Sequence, residues 1–433
     1  MQIKNRFGTF VSSAILFCGC YAPSATAYNQ LYTDLQTAVD HFQQQYQIPA
    51  VQVSISLPNQ QKYSTLEEYS TLDFIAGTTI LHGKNQLTPG DLFQFGSNTK
   101  SFTAAIILQL EAEGKLSIDD PIGKYFPHDY PQWKNITIRQ LLNHTSGIFN
   151  YTEDTDFQNL AIHNPTKSWY PKDMIAFAAK HPVYFKPGAS WHYSNTNFVL
   201  AGMIIEQVTR HTYTYEINHR LLGTTNLNIS NTSFAEFCSA DTMSHMVHSY
   251  YMQKTPKGIV YNDITYPNVS MAWSAGGIVG NTHDFVRWPR MLFQQERVLP
   301  AKQLEEMQQL VCDDSSICKL GQPVSPQIGG YGKGIFETRF GKYGNLMGHD
   351  GGIYGYCTLF IWVPLYNTLI AIALNAVDDT DCHIGDLLLQ ILAILYPSSE
   401  WQDYRISHDI PYATNMMSKE SIMALKKLLQ ITK

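Results

Sequence analysis

Segments with strand character lie at both ends of this chain, and the long stretch between them is mainly helical. Near the N-terminus, apolar residues alternate over 51–57 as in a half-buried strand, and 72–81 has the composition of a second strand. Strand character returns in three late segments, followed by an apolar helix: 346–349, 354–362, 367–376 and then 384–396. The pattern predicts one α/β lobe built from both chain ends and an inserted, mainly helical lobe.

Composition excludes some classes of protein. The 433 residues are 44% hydrophobic and 15% charged, which favours a large folded core over a disordered chain. The net charge is −6 and the basic residues are spread along the sequence, whereas nucleic-acid binding depends on clustered Lys and Arg. We therefore expect no nucleic-acid partner.

The N-terminal 27 residues have the features of a secretory signal peptide. Lys4 and Arg6 give a positively charged start, residues 7–16 are mostly apolar, and Ala25-Thr26-Ala27 matches a cleavage site. The apolar run is shorter than the ~20 residues that span a bilayer. We expect an exported protein, periplasmic or secreted. An uncleaved anchor is the alternative, and Cys20 leaves a lipid-tethered form open.

Residues 397–433 are predicted to be a C-terminal extension. Apolar residues lie on one face of its last helix: Ile422, Leu425, Leu428 and Leu429. Two alternatives stay open, which are docking of this helix on the main body and weak contact with a membrane surface.

Five cysteines follow the predicted signal peptide, so at least one of them is unpaired. Cys312 and Cys318 bracket a short loop and are the expected disulfide in an oxidising compartment. The sequence contains no Cys-x-x-Cys and no His-Glu-x-x-His motif, so a zinc site is not predicted. We expect no metal and no cofactor.

A serine and a lysine three residues apart stand at the start of an apolar helix. Ser97 follows the extended stretch Phe93-Gln94-Phe95-Gly96 and shares a helix face with Lys100. The unpaired N–H groups of the first helical turn favour developing negative charge there. Taken alone, these residues also fit a serine N-cap with a solvated lysine. A second Ser-x-x-Lys match, Ser316 to Lys319, has no apolar helix behind it, and we assign it to chance.

Two later stretches add groups suited to the same chemistry. Tyr193-Ser194-Asn195 places a phenol and an amide on one side of an extended segment, just before a helix. Gly348-His349-Asp350-Gly351-Gly352 lies in a segment with strand character. Taken alone, the first stretch also fits an aromatic turn with an Asn cap, and the second fits a tight glycine turn.

In this order, the stretches Ser97-Asn98-Thr99-Lys100, Tyr193-Ser194-Asn195 and His349-Asp350-Gly351 resemble the three active-site motifs of the penicillin-recognising serine hydrolases. The Tyr-x-Asn motif is similar to that of the class C β-lactamase branch, which includes D-alanyl-D-alanine carboxypeptidases and esterases. The stretches 141–147 and 274–277 also resemble that branch.

The resemblance covers roughly residues 30–395 and implies a fold. This is the two-lobe, β-lactamase/transpeptidase-like α/β fold, in which helices flank an antiparallel sheet and the site lies between the lobes. The domain would span 28–396. Its expected parts are an α/β lobe from 28–118 and 330–396 and a helical lobe from 119–329.

The chemistry of the residues, with the resemblance, gives each motif a role. Ser97 is the expected nucleophile. Lys100 and Tyr193 have ordinary pKa values of about 10.4 and about 10, so either alone needs a shift worth about 4 kcal/mol to act as a base at pH 7. Burial lowers a lysine pKa and a nearby cation lowers a tyrosine pKa, so we assign the base to the pair. Tyr193 would return the proton to the leaving group, and Asn195 would hold Lys100 and the substrate amide.

The third motif is expected to bind the substrate. By the resemblance, the backbone N–H groups of Ser97 and Gly352 form an oxyanion hole, and Gly351 and Gly352 leave room for a substrate along the strand. His349 stands where this motif more often has lysine, a permanent cation for a substrate carboxylate. The KM of such a substrate should therefore rise as the pH passes the histidine pKa. Asp350 should point to the opposite strand face, which excludes a catalytic dyad with His349.

The sequence thus indicates an exported serine hydrolase that acts through an acyl-enzyme on D-Ala-D-Ala-type peptides, as a carboxypeptidase or endopeptidase. A small-ester hydrolase and a β-lactamase share this acylation machinery and are the enzymatic alternatives. A penicillin- or peptidoglycan-binding scaffold without turnover is the non-enzymatic alternative. The expected partner is a small-molecule or peptide substrate, such as a cell-wall peptide, an ester or a β-lactam.

Overall fold

The computed structural model describes most of the predicted domain, in the following ranges: 25–58, 69–164, 166–223, 229–234, 240–265, 268–295, 297–378 and 382–397. Residues 1–24 of the predicted signal peptide and residues 398–433 of the predicted extension lie outside the described residues. None of the helices in the described ranges has the length and apolar character required to cross a membrane.

The strands are β1 Ala50–Pro58, β2 Tyr69–Gly77, β3 Phe93–Gln94, β4 Ser233–Phe234, β5 Tyr250–Thr255, β6 Gly258–Asp263, β7 Ile278–Gly280, β8 Leu310–Val311, β9 Pro323–Val324, β10 Gly330–Tyr331, β11 Phe336–Arg339, β12 Asn345–Ile353, β13 Tyr356–Val363, β14 Thr368–Leu374 and β15 Ala376–Val377.

The α-helices are α1 Ala25–Tyr46, α2 Thr99–Ala112, α3 Ile138–Leu142, α4 Thr155–His163, α5 Pro171–Ala179, α6 Asn195–Thr209, α7 Tyr213–Ile217, α8 Ala240–Ser244, α9 Thr282–Phe285, α10 Arg287–Pro289, α11 Ala301–Met307 and α12 Ile384–Leu395.

Both ends of the chain contribute to one sheet, as predicted. Among the described residues this sheet has the strand order β2-β1-β14-β13-β12-β11-β10-β8-β9, and its paired strands run antiparallel. Strand β1 pairs with β14 in the register Val53 to Ile372, so the N-terminal strands β1 and β2 extend a sheet built mainly from C-terminal strands. Helices α1 and α12 cover one face of the sheet, and α2 and the helical lobe cover the other.

Strand β1 differs from the half-buried strand that its alternating sequence predicts. Its apolar residues face α1 and α12, but Gln52, Ser54 and Ser56 on the other face are also buried. These polar groups are hydrogen-bonded, as burial requires: Gln52 Nε2 donates to Thr88 O at 2.9 Å, and Ser54 Oγ donates to Asp73 Oδ1 at 2.6 Å.

The lobe boundary near residue 330 also differs from the prediction. Strands β8 and β9 extend the main sheet, so the sheet already begins at Leu310. Strands of two residues carry no alternating pattern that a sequence could reveal. The predicted helix over 284–295 is broken into α9, α10 and a π-helical turn, Arg290–Gln294, because Pro289 lacks the N–H that a continuous helix needs.

Two disulfides fix the chain in this lobe. The predicted Cys312–Cys318 bond is present, with Cα atoms 5.9 Å apart. A second bond, Cys357–Cys382, joins β13 to the segment before α12 and was not predicted.

Candidate active site

Ser97 lies in a tight turn between a short strand and helix α2. Strand β3 pairs with β7, and Phe95 N–H donates to Ile278 O at 2.8 Å, which fixes the backbone just before the turn. A 3₁₀ turn, Gly96–Asn98, then leads into α2, and Gly96 takes the positive φ of 51° that favours glycine. Ser97 is half-buried while the residues on both sides of it are buried, so the serine is the reachable group of the turn.

The Lys100 amine lies behind this serine, without exposed surface. Its Nζ lies 2.8 Å from Ser97 Oγ, 2.7 Å from Asn195 Oδ1 and 2.8 Å from Ala275 O. The last two partners are carbonyl oxygens, which only accept hydrogen bonds. A neutral amine has two N–H donors, and the two carbonyls use both, so its lone pair is directed at the serine hydroxyl. Sequence reasoning missed the Ala275 carbonyl, because a backbone oxygen has no side-chain signature.

Burial shifts the pKa values of Lys100 and Tyr193 in opposite directions. It lowers the pKa of Lys100 well below its ordinary value, and the nearby Asp350 carboxylate opposes this shift only partly. Burial raises the pKa of Tyr193 well above 10, although a hydrogen bond to Ser97 acts in the other direction. The expected lowering of the tyrosine pKa by a neighbouring cation is therefore wrong. Burial thus disfavours both the ammonium form of Lys100 and the phenolate form of Tyr193, which suits Lys100 better than Tyr193 for accepting a proton.

Asn195 is oriented by its own hydrogen bonds at the start of α6. Its backbone N–H donates to Asn150 Oδ1 at 3.0 Å, and its Nδ2 donates to Thr152 Oγ1 at 3.2 Å. The amide oxygen is thereby turned toward Lys100, in agreement with the predicted contact.

His144, which the sequence analysis did not single out, supports the Tyr193 segment. The buried His144 has a positive φ of 61°, and its Nδ1 accepts hydrogen bonds from Ser194 N at 3.2 Å and Asn197 Nδ2 at 3.1 Å. Its ring centroid lies 4.4 Å from that of Tyr193. Burial lowers the pKa of His144 well below 6.5, so this imidazole stays neutral and keeps Nδ1 as an acceptor. The signal was available in the stretch His144-Thr145-Ser146-Gly147.

Strand β12 forms the opposite wall of the site. Gly351 packs against the Ser97 turn, and a Cβ at this position would overlap the Phe95 carbonyl oxygen and the Asn98 side chain. Gly352 N lies beside Gly96, and Gly352 is half-buried, like Ser97. The two backbone N–H groups predicted for the oxyanion hole thus lie on neighbouring segments.

His349 differs from the expected cationic ligand. It is 1% exposed, its Nδ1 donates to Asp350 O at 2.5 Å, and Tyr331 Oη lies 2.8 Å from its Nε2. Both ring nitrogens are engaged when the imidazole is neutral. Burial, with the nearby Lys100, lowers the pKa of His349 to about 3. The expected pH dependence of KM near pH 6.5 is therefore wrong, because the imidazole is already neutral at that pH.

The structure brings Ser97, Lys100, Tyr193 and Asn195 into one hydrogen-bonded group, with Gly352 beside it. In the second Ser-x-x-Lys match, assigned to chance, Ser316 is exposed in the loop closed by Cys312–Cys318, and the exposed Lys319 directly follows that loop. In the part of the chain that the structure describes, no group of three or more His, Cys, Asp or Glu side chains is arranged to hold a metal ion.

Residues 35–393 match the beta-lactamase family. Penicillin-binding protein 4* of Bacillus subtilis is 27% identical over 304 residues, which are 69% of this chain and 64% of that protein. Protein flp of Staphylococcus aureus is 36% identical over 157 residues, or 35% of this chain and 30% of that protein. The matches thus span less than two thirds of either relative.

Solved structures share the fold over most of the chain. A D-stereospecific amidohydrolase from Streptomyces sp. is 30% identical, has a TM-score of 0.68, and aligns over 85% of this chain and 99% of that one. A D-amino acid amidase from Ochrobactrum anthropi SV3, solved with D-phenylalanine, is 23% identical with a TM-score of 0.70, over 85% of this chain and 100% of that one. At this lower identity the second likeness concerns the fold alone.

Proposed function

The chain belongs to the beta-lactamase family and is a serine hydrolase, and on that premise we propose that it hydrolyses amide bonds of D-amino-acid derivatives through an acyl-enzyme at Ser97. One observation carries the proposal. The buried Lys100 amine lies 2.8 Å from Ser97 Oγ, with two carbonyl oxygens accepting from its N–H groups.

Acylation begins when Ser97 Oγ attacks the substrate carbonyl carbon and its proton passes to the Lys100 lone pair. A C–O bond forms, the C=O π electrons move to the oxygen, and a tetrahedral oxyanion results. The backbone N–H groups of Ser97 and Gly352 would donate to that oxyanion, and loss of one such donor typically costs about 3–4 kcal/mol.

Collapse of the tetrahedral intermediate breaks the bond from carbon to nitrogen. The leaving nitrogen needs a proton, and the protonated Tyr193 hydroxyl supplies it while taking the serine-derived proton back from Lys100. This exchange leaves both groups neutral again. Water then attacks the acyl carbon and gives one proton to Lys100. The bond from carbon to Ser97 Oγ breaks, Lys100 passes this proton to Oγ, and the acid leaves with Ser97 and Lys100 regenerated.

The proposed substrate class rests on similarity to known proteins and on the charge of His349 beside the site. The 30% identical Streptomyces protein is named as a D-stereospecific amidohydrolase, which supports an amide substrate with D configuration. A D-Ala-D-Ala carboxypeptidase or endopeptidase is the second candidate, favoured by the match to a penicillin-binding protein over 69% of the chain. That candidate needs a cation for the substrate carboxylate, and the neutral, buried His349 does not supply one.

Export is part of the proposal. The disulfides Cys312–Cys318 and Cys357–Cys382 support an oxidising compartment, because such bonds are rare in reducing cytosol. Periplasmic or secreted location would follow from cleavage of the predicted signal peptide.

The test is covalent labelling of the purified protein with a fluorophosphonate, followed by turnover of three substrates. We expect labelling of the wild type and none of Ser97→Ala. A D-amino-acid amide, a D-Ala-D-Ala peptide and nitrocefin are then ranked by kcat/KM, and the amide should rank first. Absence of wild-type labelling, or equal labelling of Ser97→Ala, would refute the nucleophile. A higher kcat/KM for the D-Ala-D-Ala peptide would replace the amidase by the second candidate.

A further inference from the structure

A buried side-chain amide links the Ser97 turn, residues 95–98, to the main sheet. Asn98, the residue after Ser97, has no exposed surface. Its Nδ2 donates to Phe95 O at 2.9 Å and to Thr358 Oγ1 at 2.7 Å. Thr358, also without exposed surface, belongs to strand β13 and pairs with Gly351 of strand β12. The amide therefore joins the Ser97 turn to the strand behind the third motif.

The Thr358 hydroxyl lies between the Ser97 turn and strand β12. Its oxygen is 3.0 Å from Phe95 O and 3.3 Å from Gly351 O, and either carbonyl oxygen can accept its one proton. A Cβ added to Gly351 would overlap Phe95 O and lie 2.7 Å from Thr358 Oγ1. The missing side chain of this glycine thus leaves the space in which the turn and the strand meet at the hydroxyl.

The same region contains the two peptide units that carry the N–H groups predicted for the oxyanion hole. In a planar trans peptide the C=O and the N–H point in opposite directions, so a contact that fixes the oxygen also fixes the direction of the N–H. Gly351 O, next to the β13 hydroxyl, belongs to the unit that carries the Gly352 N–H. Gly96 O belongs to the unit that carries the Ser97 N–H, and it accepts a hydrogen bond from Thr99 Oγ1 at 2.7 Å. Each predicted donor therefore has its carbonyl end in contact with a threonine hydroxyl.

The hydrogen bonds of Asn98 come with a cost in stability. Its Oδ1 is buried and has no hydrogen-bond partner among the residues that the structure describes. A buried polar group without a partner destabilises the folded state. Leucine has a similar shape and carries no such penalty. The two bonds made by Nδ2 are therefore better explained by a role in positioning than by stability alone.

We propose that Asn98 and Thr358 are positioning residues of the oxyanion hole. Their hydrogen bonds fix the Ser97 turn against strand β12, and so set the separation and the direction of the Ser97 and Gly352 N–H groups. Such donors act because they are preorganised, so a small displacement weakens binding of the transition state more than binding of the substrate. This inference rests on the proposed function, because it concerns the same acyl transfer at Ser97.

The experiment compares Thr358→Val, which keeps the shape of the side chain without the hydroxyl, with Thr358→Ser, which keeps the hydroxyl. Hydrolysis of D-alanine p-nitroanilide gives kcat and KM. Phenylboronic acid, which adds to a serine hydroxyl as a tetrahedral anion, gives a Ki for a transition-state mimic. We expect Thr358→Val to lower kcat about tenfold or more, to leave KM within about threefold, and to raise this Ki by the same factor as kcat falls. Thr358→Ser should stay within about threefold of the wild type in kcat and Ki.

A second variant separates positioning from stability. Asn98→Leu removes both amide hydrogen bonds together with the unpartnered Oδ1, so kcat should fall about tenfold. Its free energy of unfolding, measured by urea denaturation, should not decrease. A merely structural role would lower both quantities.

Thr368→Val is the matched control. Thr368 is a buried threonine of the same sheet whose hydroxyl donates to Tyr366 O at 3.3 Å, and it lies at the opposite end of β14 from Ala373, the residue that pairs with Thr358. This variant should keep the wild-type kcat and Ki.

The outcomes separate the inference from the function on which it rests. The extent of fluorophosphonate labelling after prolonged incubation reports whether each variant is folded with a reactive Ser97. Wild-type kcat and Ki in a labelled Thr358→Val variant, or equal losses in Thr358→Val and Thr358→Ser, overturn the positioning role and leave the hydrolase standing. If Thr358→Val does not fold, a labelled Asn98→Leu variant with wild-type kcat overturns the role instead. Absence of both labelling and turnover in the wild type refutes the proposed function itself.

Discussion

Replacing Lys100 with methionine tests the protonation state on which the proposed base depends. The amine has no exposed surface, and burial lowers its pKa well below the ordinary value. In the unfolded chain this lysine stays an ammonium ion up to a pH of about 10.4. Folding therefore releases one proton at any pH between the lowered pKa and that value. Within this window the free energy of unfolding rises with pH by about 1.4 kcal/mol per unit, because the unfolded state binds more protons.

The methionine variant has no proton to release. The difference in unfolding free energy, wild type minus Lys100→Met, should thus increase by about 2.7 kcal/mol between pH 7 and pH 9. Urea denaturation at pH 7, 8 and 9 measures it, with the exposed Lys134→Met variant as the matched control. Hydrolysis by Lys100→Met should fall by about 10²–10⁴. A difference that stays constant from pH 7 to 9 would mean that Lys100 is an ammonium ion in the folded protein, and the base assignment would be wrong.

Three further predictions concern Tyr193 as the proton donor, the charge of His349, and the disulfide Cys357–Cys382. Tyr193→Phe removes the hydroxyl bonded to Ser97, so the kcat of amide hydrolysis should fall by about 10²–10⁴. The kcat for a nitrophenyl ester should fall less, because its leaving group needs no proton. Equal losses of kcat for the two substrates would contradict the role of Tyr193 as the acid. The low pKa of His349, about 3, predicts a KM for a carboxylate substrate that is constant from pH 5 to 8, and a rise near pH 6.5 would restore the cationic role. The double variant Cys357→Ser, Cys382→Ser should lower the free energy of unfolding by about 3.5 kcal/mol, measured by urea denaturation, and an unchanged midpoint would show that the bond does not stabilise the fold.

The parts of the site that depend on local sequence were predictable. Ser97 and Lys100 are one helical turn apart, so the start of an apolar helix already places them on one face. The long late strands were also recognisable, because runs such as 356–363 are apolar throughout and covered on both sheet faces.

Features that depend on tertiary contacts were not predictable. The Cys357–Cys382 bond exists because β13 passes next to the segment before α12, and no spacing in the sequence reveals that approach. The two pKa shifts at Lys100 and Tyr193 have opposite signs because one dry environment disfavours both an ammonium and a phenolate. The sequence shows which groups titrate, but not how much water reaches them.

Burial and the charge of Asp350 act on the pKa of Lys100 in opposite directions. Asp350 raises this pKa, whereas proton transfer from Ser97 requires a neutral amine, so the burial of Lys100 has to outweigh the carboxylate. A substrate that fills the cleft excludes water from the site and disfavours the ammonium form of Lys100 further. The neutral form of Lys100 is therefore favoured most when Ser97 has a carbonyl to attack.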